Sequence, residues 1–367
     1  MKVTGADARA LVLVTGASGY VGGRLLPALE SRGRRVRCLA RRPEFLSRRA
    51  GLGTEVVAGD VLDDDSLAPA LRGVDTAYYL VHSLGADRGF AAEDRYGMDT
   101  ISTSNTIGLA FHLYEKGIVT KEDTGGIELK WGDVDVIEQL VRMTGSREGL
   151  GDLLAQGSRR FGVHFGAEEE AVQVNGLEVA YHDPRGVSGM ALSYATSPRG
   201  ACHNQSDYFS VDWGHSNEEI GIEFIERHAQ AEKAANVARH QNWRSVDNAL
   251  VTCIFANVGA QEKVDLINAA CGLDWSVEEM MKFGERSWNL KRAINNRMGL
   301  TDGNDKLPKA LLTPMPDGGS AGFVPDIEEM LTAYYQHRGW DETTGKPTRE
   351  KLTELGLEDV AGDLWGQ

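Results

Sequence analysis

Three glycines, a pair of arginines, one histidine and four scattered thiols are the residues whose types and settings point to chemistry. Gly16, Gly19 and Gly22 stand in the stretch LVLVTGASGYVGGRLLPALESRGRRVRCLARRP. An apolar run, Leu11 to Val14, leads into them. A helical pattern with Val21, Leu25, Leu26 and Leu29 on one face leads out and is closed by Gly33. Glycines so placed allow a tight turn and a close backbone approach to a pyrophosphate, which the free N–H groups and dipole of the helix start then hold. Arg41 and Arg42 follow the next apolar run, RVRCLA. An acid there would meet a ribose 2′-hydroxyl, whereas guanidinium groups favour the 2′-phosphate of NADP; a solvated basic loop is the plainer alternative. His203 lies in SPRGACHNQSD, a loop of turn formers and a better address for chemistry than a helix face, although a structural histidine is the commoner case. Cys38, Cys202, Cys253 and Cys271 are far apart with no CxxC pair, and Cys202 and Cys271 read as small buried hydrophobes. The nine histidines include no HxxxH pair, which speaks against a zinc site.

The elements that position these residues change character along the chain. TEVVAGDVLD reads as a third strand ending at Asp60, DSLAPALRGVD as a helix and TAYYLVHS as a fourth strand. Beyond Gly97 the pattern turns to helices with glycine stops. TISTSNTIGLAFHLYEKG sets Ile107, Ala110, Phe111 and Tyr114 at helical spacing, and DVDVIEQLVRMTGSREGLGDLLAQGSRRFG reads as a helix pair broken between Gly145 and Gly151. AVQVNGLEVAYHDPRG alternates around Asn175-Gly176, a hairpin signal. The stretches beginning SNEEIGIEF, SVEEMMKF, DIEEMLTAYY and PTREKLTE predict further amphipathic helices.

Composition divides at the same place. Residues 1–95 hold 14 Lys+Arg against 12 Asp+Glu, a net of +2, while 96–367 hold the remaining 25 and 42, a net of −17. The first part has no Asn or Trp, and the second has all 7 Trp. This predicts two segments of different origin, 1–95 and 96–367. The acidic balance argues against a nucleic-acid partner. No apolar run reaches membrane-spanning length, the start has no secretory pattern, and dispersed cysteines point to a reducing, cytoplasmic setting.

On these residues, 9–95 resembles the amino-terminal half of an atypical, extended short-chain dehydrogenase/reductase of the NAD(P)H-binding, NmrA-like group. The resemblance implies that Asp60 and Val61 line an adenine pocket. The Tyr-x-x-x-Lys pair of catalytic members does not follow in the expected context, so no general acid for hydride chemistry is offered.

Residues 97–367 resemble the carboxy-terminal two domains of the tungsten-dependent aldehyde:ferredoxin oxidoreductases. The stretches that carry this include GMDTISTSNTI, YEKGIVTKEDTGGIELKWGD, REGLGDLLAQG, YATSPRGACH, WNLKRAINNRMG and YYQHRGWDETTGKPTREKLTELGLEDVA. The resemblance implies a tungsten (or molybdenum) bis-pterin cofactor beside a 4Fe-4S cluster, a small aldehyde substrate and ferredoxin or another redox chain as partner. It implies pterin contacts in two Asp-x-x-Gly-Leu-(Asp/Cys) patterns. The first is met by Asp94, Gly97, Met98 and Asp99, of which Asp99 is the stronger candidate. The second falls on NALVTC, where Asn248 stands for the acid, Val251 for the glycine, and Cys253 on the position of a cluster ligand. His203 matches a histidine near the metal that serves as proton donor. The family's CxxCxxxC run, active-site glutamate and base domain belong upstream of residue 97, where the reductase-like segment stands.

The expected architecture is an α/β half Rossmann-type segment followed by a mainly α region with a small β-hairpin. Three functions compete: an aldehyde:ferredoxin-type oxidoreductase that needs a partner subunit for the rest of its site, an NADP-binding reductase-like or redox-sensing module, and a non-enzymatic chimera. The hydrophobic fourth strand and the helical domains' broad interface face predict a homo-oligomer or a covered partner surface.

Overall fold

The run Leu11–Thr15 (β1) is apolar at every position but the last because both faces of the strand are covered. The computed structural model describes residues 10–18, 20–60, 63–79, 96–256 and 258–366. It divides into two units, Met1–Thr100 and Ile101–Gln367.

In the first unit, β1 is followed by α1 (Tyr20–Ser31), β2 (Arg35–Ala40), α2 (Pro43–Ser47), β3 (Glu55–Ala58), α3 (Asp64–Leu71) and β4 (Thr76–Tyr79). All pairings are parallel and the strand order is β3-β2-β1-β4. Val12, Val14, Val36 and Cys38 pack with Leu26 and Leu29 of α1, while Leu13 and Leu39 pack with Ala70 of α3. Gly33, at φ +68, lets the chain leave α1, with Arg34 N–H donating to the Leu29 carbonyl at 3.1 Å. The expected half Rossmann-type sheet is thus present. The stretch from Leu80 to Val81, expected to continue the fourth strand, lies outside the described residues.

The second unit begins within α4 (Thr100–Glu115) and continues through α5 (Val134–Ser146), α6 (Leu150–Leu154) and α7 (Ser158–His164). The expected helix pair is therefore three segments: Arg147, in the left-handed region at φ +60, ends α5, and Gly157 at φ +88 separates α6 from α7. The hairpin pairs β5 (Gln173–Val174) with β6 (Leu177–Glu178). Asn175 and Gly176 both have positive φ, +51 and +87, as a two-residue turn of this hand requires.

Next come α8 (Gly189–Thr196), the single turn α9 (Phe209–Asp212), α10 (Ala234–Leu250), α11 (Ala260–Cys271), α12 (Val277–Arg297), α13 (Ile327–Arg338), α14 (Arg349–Glu354) and α15 (Glu358–Trp365). The helix expected from Ser216 begins instead near Ala231. Residues before it form a short 3-10 turn (Glu218–Ile220) and an Asn217–Ile222 bridge, because Gly221 adopts φ +67 and ends the turn. The central helices α10 and α12 cross at Gly284, where an added Cβ would sit 2.2 Å from the Asn242 carbonyl oxygen. Arg338, 1 % exposed, is satisfied inside this core by Tyr334 Oη, Asn242 Oδ1, Gln241 Oε1 and the Ala238 carbonyl. The second unit is mainly helical with a small hairpin, as expected.

Candidate functional site

Parallel pairing brings the carboxyl ends of β1, β2 and β3 to one edge of the first unit. Gly16 follows β1 at φ +70, and Gly22 opens the first turns of α1. A Cβ on Gly22 would lie 2.3 Å from the Gly16 carbonyl oxygen and 2.7 Å from Ala17 Cα. The third glycine is thus required for close helix–strand packing, the part assigned to it in a dinucleotide loop. Arg41 follows β2 and is exposed; Asp60 follows β3 and is half-buried, its amide 3.0 Å from Ser66 Oγ. Gly19 and Val61 lie outside the described residues.

His203 sits in the second unit, half-buried at the start of a 3-10 turn (His203–Gln205). The loop reaches it by passing the hairpin so closely that a Cβ on Gly200 would meet the Val174 carbonyl at 2.5 Å. The His182 ring lies 5.6 Å from the His203 ring and stacks on Phe209 at 3.8 Å. Burial, then the charge of His203, lowers the His182 pKa, against the pull of Asp207.

Beyond His203 the loop is fastened to α10. Ser206 Oγ lies 3.0 Å from His240 Nδ1, and Asp207 accepts from both Nε and Nη2 of Arg244, the latter at 2.8 Å. Arg244 Nη1 continues to Asp247 Oδ2 at 2.9 Å, and Asp247 Oδ1 takes Lys263 Nζ of α11 at 2.5 Å. Lys263 also lies 3.4 Å over the Trp243 ring. The result is a buried ladder of alternating charge, Asp207–Arg244–Asp247–Lys263, with His240 beside its first rung. Burial pushes the Asp207 carboxyl up, but the Arg244 hydrogen bonds, with the His240 and Arg244 charges, hold it below the usual value. Burial pushes His240 down to about 4, so the imidazole is neutral at pH 7.

The ladder ends where the second expected pterin pattern begins. Asn248 is exposed in the last turn of α10, Val251 follows at φ +58 and ψ +33, and Cys253 is exposed. In the first pattern, Gly97 has φ +72 and Asp99 is exposed directly before α4, while Asp94 lies outside the described residues. The structure therefore links the His203 loop to the Asn248–Cys253 segment, through residues not singled out in the sequence. His240, Arg244 and Asp247 were findable: at i, i+4 and i+7 they mark a polar stripe on a helix that is buried on that side.

A parallel sheet with a glycine turn after its central strand defines the first unit as a nucleotide-binding type of fold, and a family model described as NAD(P)H-binding matches residues 16–110. A model described as aldehyde ferredoxin oxidoreductase, domains 2 & 3, matches residues 91–357, and the chain belongs to that family. The tungsten-containing aldehyde ferredoxin oxidoreductase of Pyrococcus abyssi (strain GE5 / Orsay) is 39% identical over 275 residues, covering 72% of this chain and 44% of that protein. The 3 beta-hydroxysteroid dehydrogenase/Delta 5→4-isomerase of Mycobacterium tuberculosis (strain ATCC 25618 / H37Rv) is 38% identical over 85 residues, 23% of this chain and 22% of that protein. Among solved structures, the active site complex BamBC of benzoyl coenzyme A reductase, in complex with 1,5 dienoyl-CoA, shares the fold at a TM-score of 0.59 and 22% identity, over 74% of this chain and 46% of that one. The chain spans less than half the length of the aldehyde ferredoxin oxidoreductase relative. Both resemblances read from the sequence are borne out.

A cubane cluster takes four thiolate-type ligands. Cys202 is buried, and Cys38 is buried in the first unit, its thiol pushed up to about 12 by burial and the charge of Glu30. Among the described residues no three His, Cys, Asp or Glu side chains gather as a metal site. The second pterin pattern offers an amide for the acid and valine for the glycine. These residues do not fit the cluster or a second pterin grip.

Proposed function

We propose that residues 96–367 form the carboxy-terminal part of an aldehyde-oxidising enzyme whose metal centre is completed by a partner polypeptide. The reaction takes an aldehyde and water to a carboxylate, releasing two electrons to ferredoxin or another iron–sulfur acceptor, with protons lost to solvent. His203 is the residue assigned to proton transfer, and the observation that carries this reading is the buried ladder that fixes its loop to α10. A half-buried imidazole held on a braced turn suits a group that accepts a proton from water or the aldehyde hydrate and returns it to solvent. His182, its pKa lowered by burial and by the charge of His203, lines the same corner. Asp99 is the assigned pterin contact of the first pattern. The four cysteines, none in a disulfide, support a reducing, cytoplasmic setting. No helix among the described residues is long and apolar enough to cross a membrane.

The test is complementation. The full chain is co-expressed, with tungstate or molybdate present, with a polypeptide covering the cluster-bearing half of an aldehyde ferredoxin oxidoreductase. Aldehyde-dependent reduction of a viologen dye is then measured for wild type and His203→Asn. Activity in the mixed complex that falls at least a hundredfold in the variant supports the reading. A complex without activity, or one indifferent to His203, overturns it.

A second reading concerns residues 1–95 alone: they bind a dinucleotide, with NADP preferred. The intimate packing of Gly22 on Gly16 supports a working phosphate loop, with Arg41 for the 2′-phosphate and Asp60 for the adenine side. Bound NADPH would supply a hydride, but no residue is assigned to protonate a substrate. Fluorescence titration with NADPH and NADH decides this, and equal or undetectable binding refutes it.

A further inference from the structure

The end of α10 departs from the expected pterin pattern at two positions, Asn248 for the acid and Val251 for the glycine. Val251 occupies the left-handed residue that stops the helix, its amide donating to the Asn248 carbonyl at 3.4 Å. Thr252 N–H donates to the Asp247 carbonyl at 3.0 Å, and Thr252 Oγ1 to Asp247 Oδ1 at 3.0 Å. The amides of Val251 and Thr252 and the Thr252 hydroxyl are thus engaged in ending the helix. A β-branched side chain at φ +58 is strained and persists only where the surroundings over-determine it. Here Asp247 supplies the anchor: it is 2 % exposed and held by Arg244, Lys263 and Thr252. That carboxylate, one residue before Asn248, is consumed by the ladder and is not presented to a ligand.

Cys253 follows, exposed, beside a short 3-10 turn (Ile254–Ala256). Of the other thiols, Cys202 is 3 % exposed, Cys271, read from the sequence as buried, is exposed where it ends α11, and Cys38 lies in the core of the other unit.

We infer that in this chain Asn248–Cys253 is a structural helix stop, and that Cys253 is a surface thiol which holds no iron–sulfur cluster together with the chain's other thiols. This stands on the cysteine placement and the backbone, and iron content reports it separately from the aldehyde assay.

The full chain, purified without oxygen and treated with ferrous iron, sulfide and a reducing thiol, is expected to retain well under one iron per chain. Iodoacetamide is expected to alkylate Cys253 equally before and after that treatment. Val251→Gly is expected to melt roughly 2–4 °C higher, since glycine relieves the left-handed strain. Two or four irons per chain with iron–sulfur absorbance, whether or not Cys253→Ser removes them, would overturn the inference. Protection of Cys253 after reconstitution would overturn it, as would a Val251→Gly protein that melts lower than wild type.

Discussion

After β1, the left-handed turn falls on Gly16 at φ +70, and the helix that follows presses Gly22 onto it. At the end of α10 a similar left-handed demand, φ +58, falls on Val251. Both places hold a residue in the left-handed region, but glycine fills the first and valine the second. The difference separates two kinds of constraint. Backbone shape is imposed by packing around it: β1 and α1 in one case, the buried ladder in the other. Ligand chemistry is imposed only by the ligand, so it can be absent where the shape persists.

The largest effect that would break this comparison is removal of the ladder. Arg244→Ala leaves Asp207 and Asp247 short of their shared partner and is expected to cost about 3–5 kcal/mol in urea unfolding of the second unit. A loss below about 1 kcal/mol would mean that the ladder does not impose the α10 geometry.

Acid attacks the same place through His240, whose pKa falls from 6.5 to about 4 on folding. The unfolded chain binds the extra proton between those values, so stability is full at pH 7 and declines as pH falls from about 6.5 toward 4. The expected loss is about 2–3 kcal/mol by pH 4. Urea midpoints measured across that range for wild type and His240→Gln check it, the variant having the shallower slope.

Exchanging the glycine roles sharpens the contrast. Gly22→Ala drives a methyl into the Gly16 carbonyl and is expected to cost the first unit about 1–3 kcal/mol, read as faster hydrogen exchange at β1 amides. Val251→Gly is expected to gain about 1 kcal/mol in urea unfolding. Of similar size is Arg41→Asp, expected to change the NADPH-to-NADH preference by roughly tenfold, about 1.4 kcal/mol, toward NADH in a fluorescence titration.

The strands and the long helices were legible because their signals are local. β2 runs Arg35–Ala40 as read, the Asn175-Gly176 turn forms, and α12 is capped at Ser276, the side chains of Ser276 and Glu279 each accepting from the other's backbone N–H. Helix α8 was not read because all eight of its residues are buried, leaving no polar face to give a period. Gly221 hid a turn inside an apparently helical stretch. His203 and the Asn248–Cys253 segment are candidates that family spacing alone singles out. The ladder joining them was not legible, because Asp207 and Lys263 meet α10 only after the chain folds.

The ladder also carries a temperature dependence. Four charged groups taken out of water pay a hydration penalty that shrinks on heating, because ionic hydration is entropically unfavourable. Apolar packing around Trp243 and Val246 gains no comparable advantage. The brace between the His203 loop and α10 therefore grips better, relative to its apolar surroundings, as the protein warms.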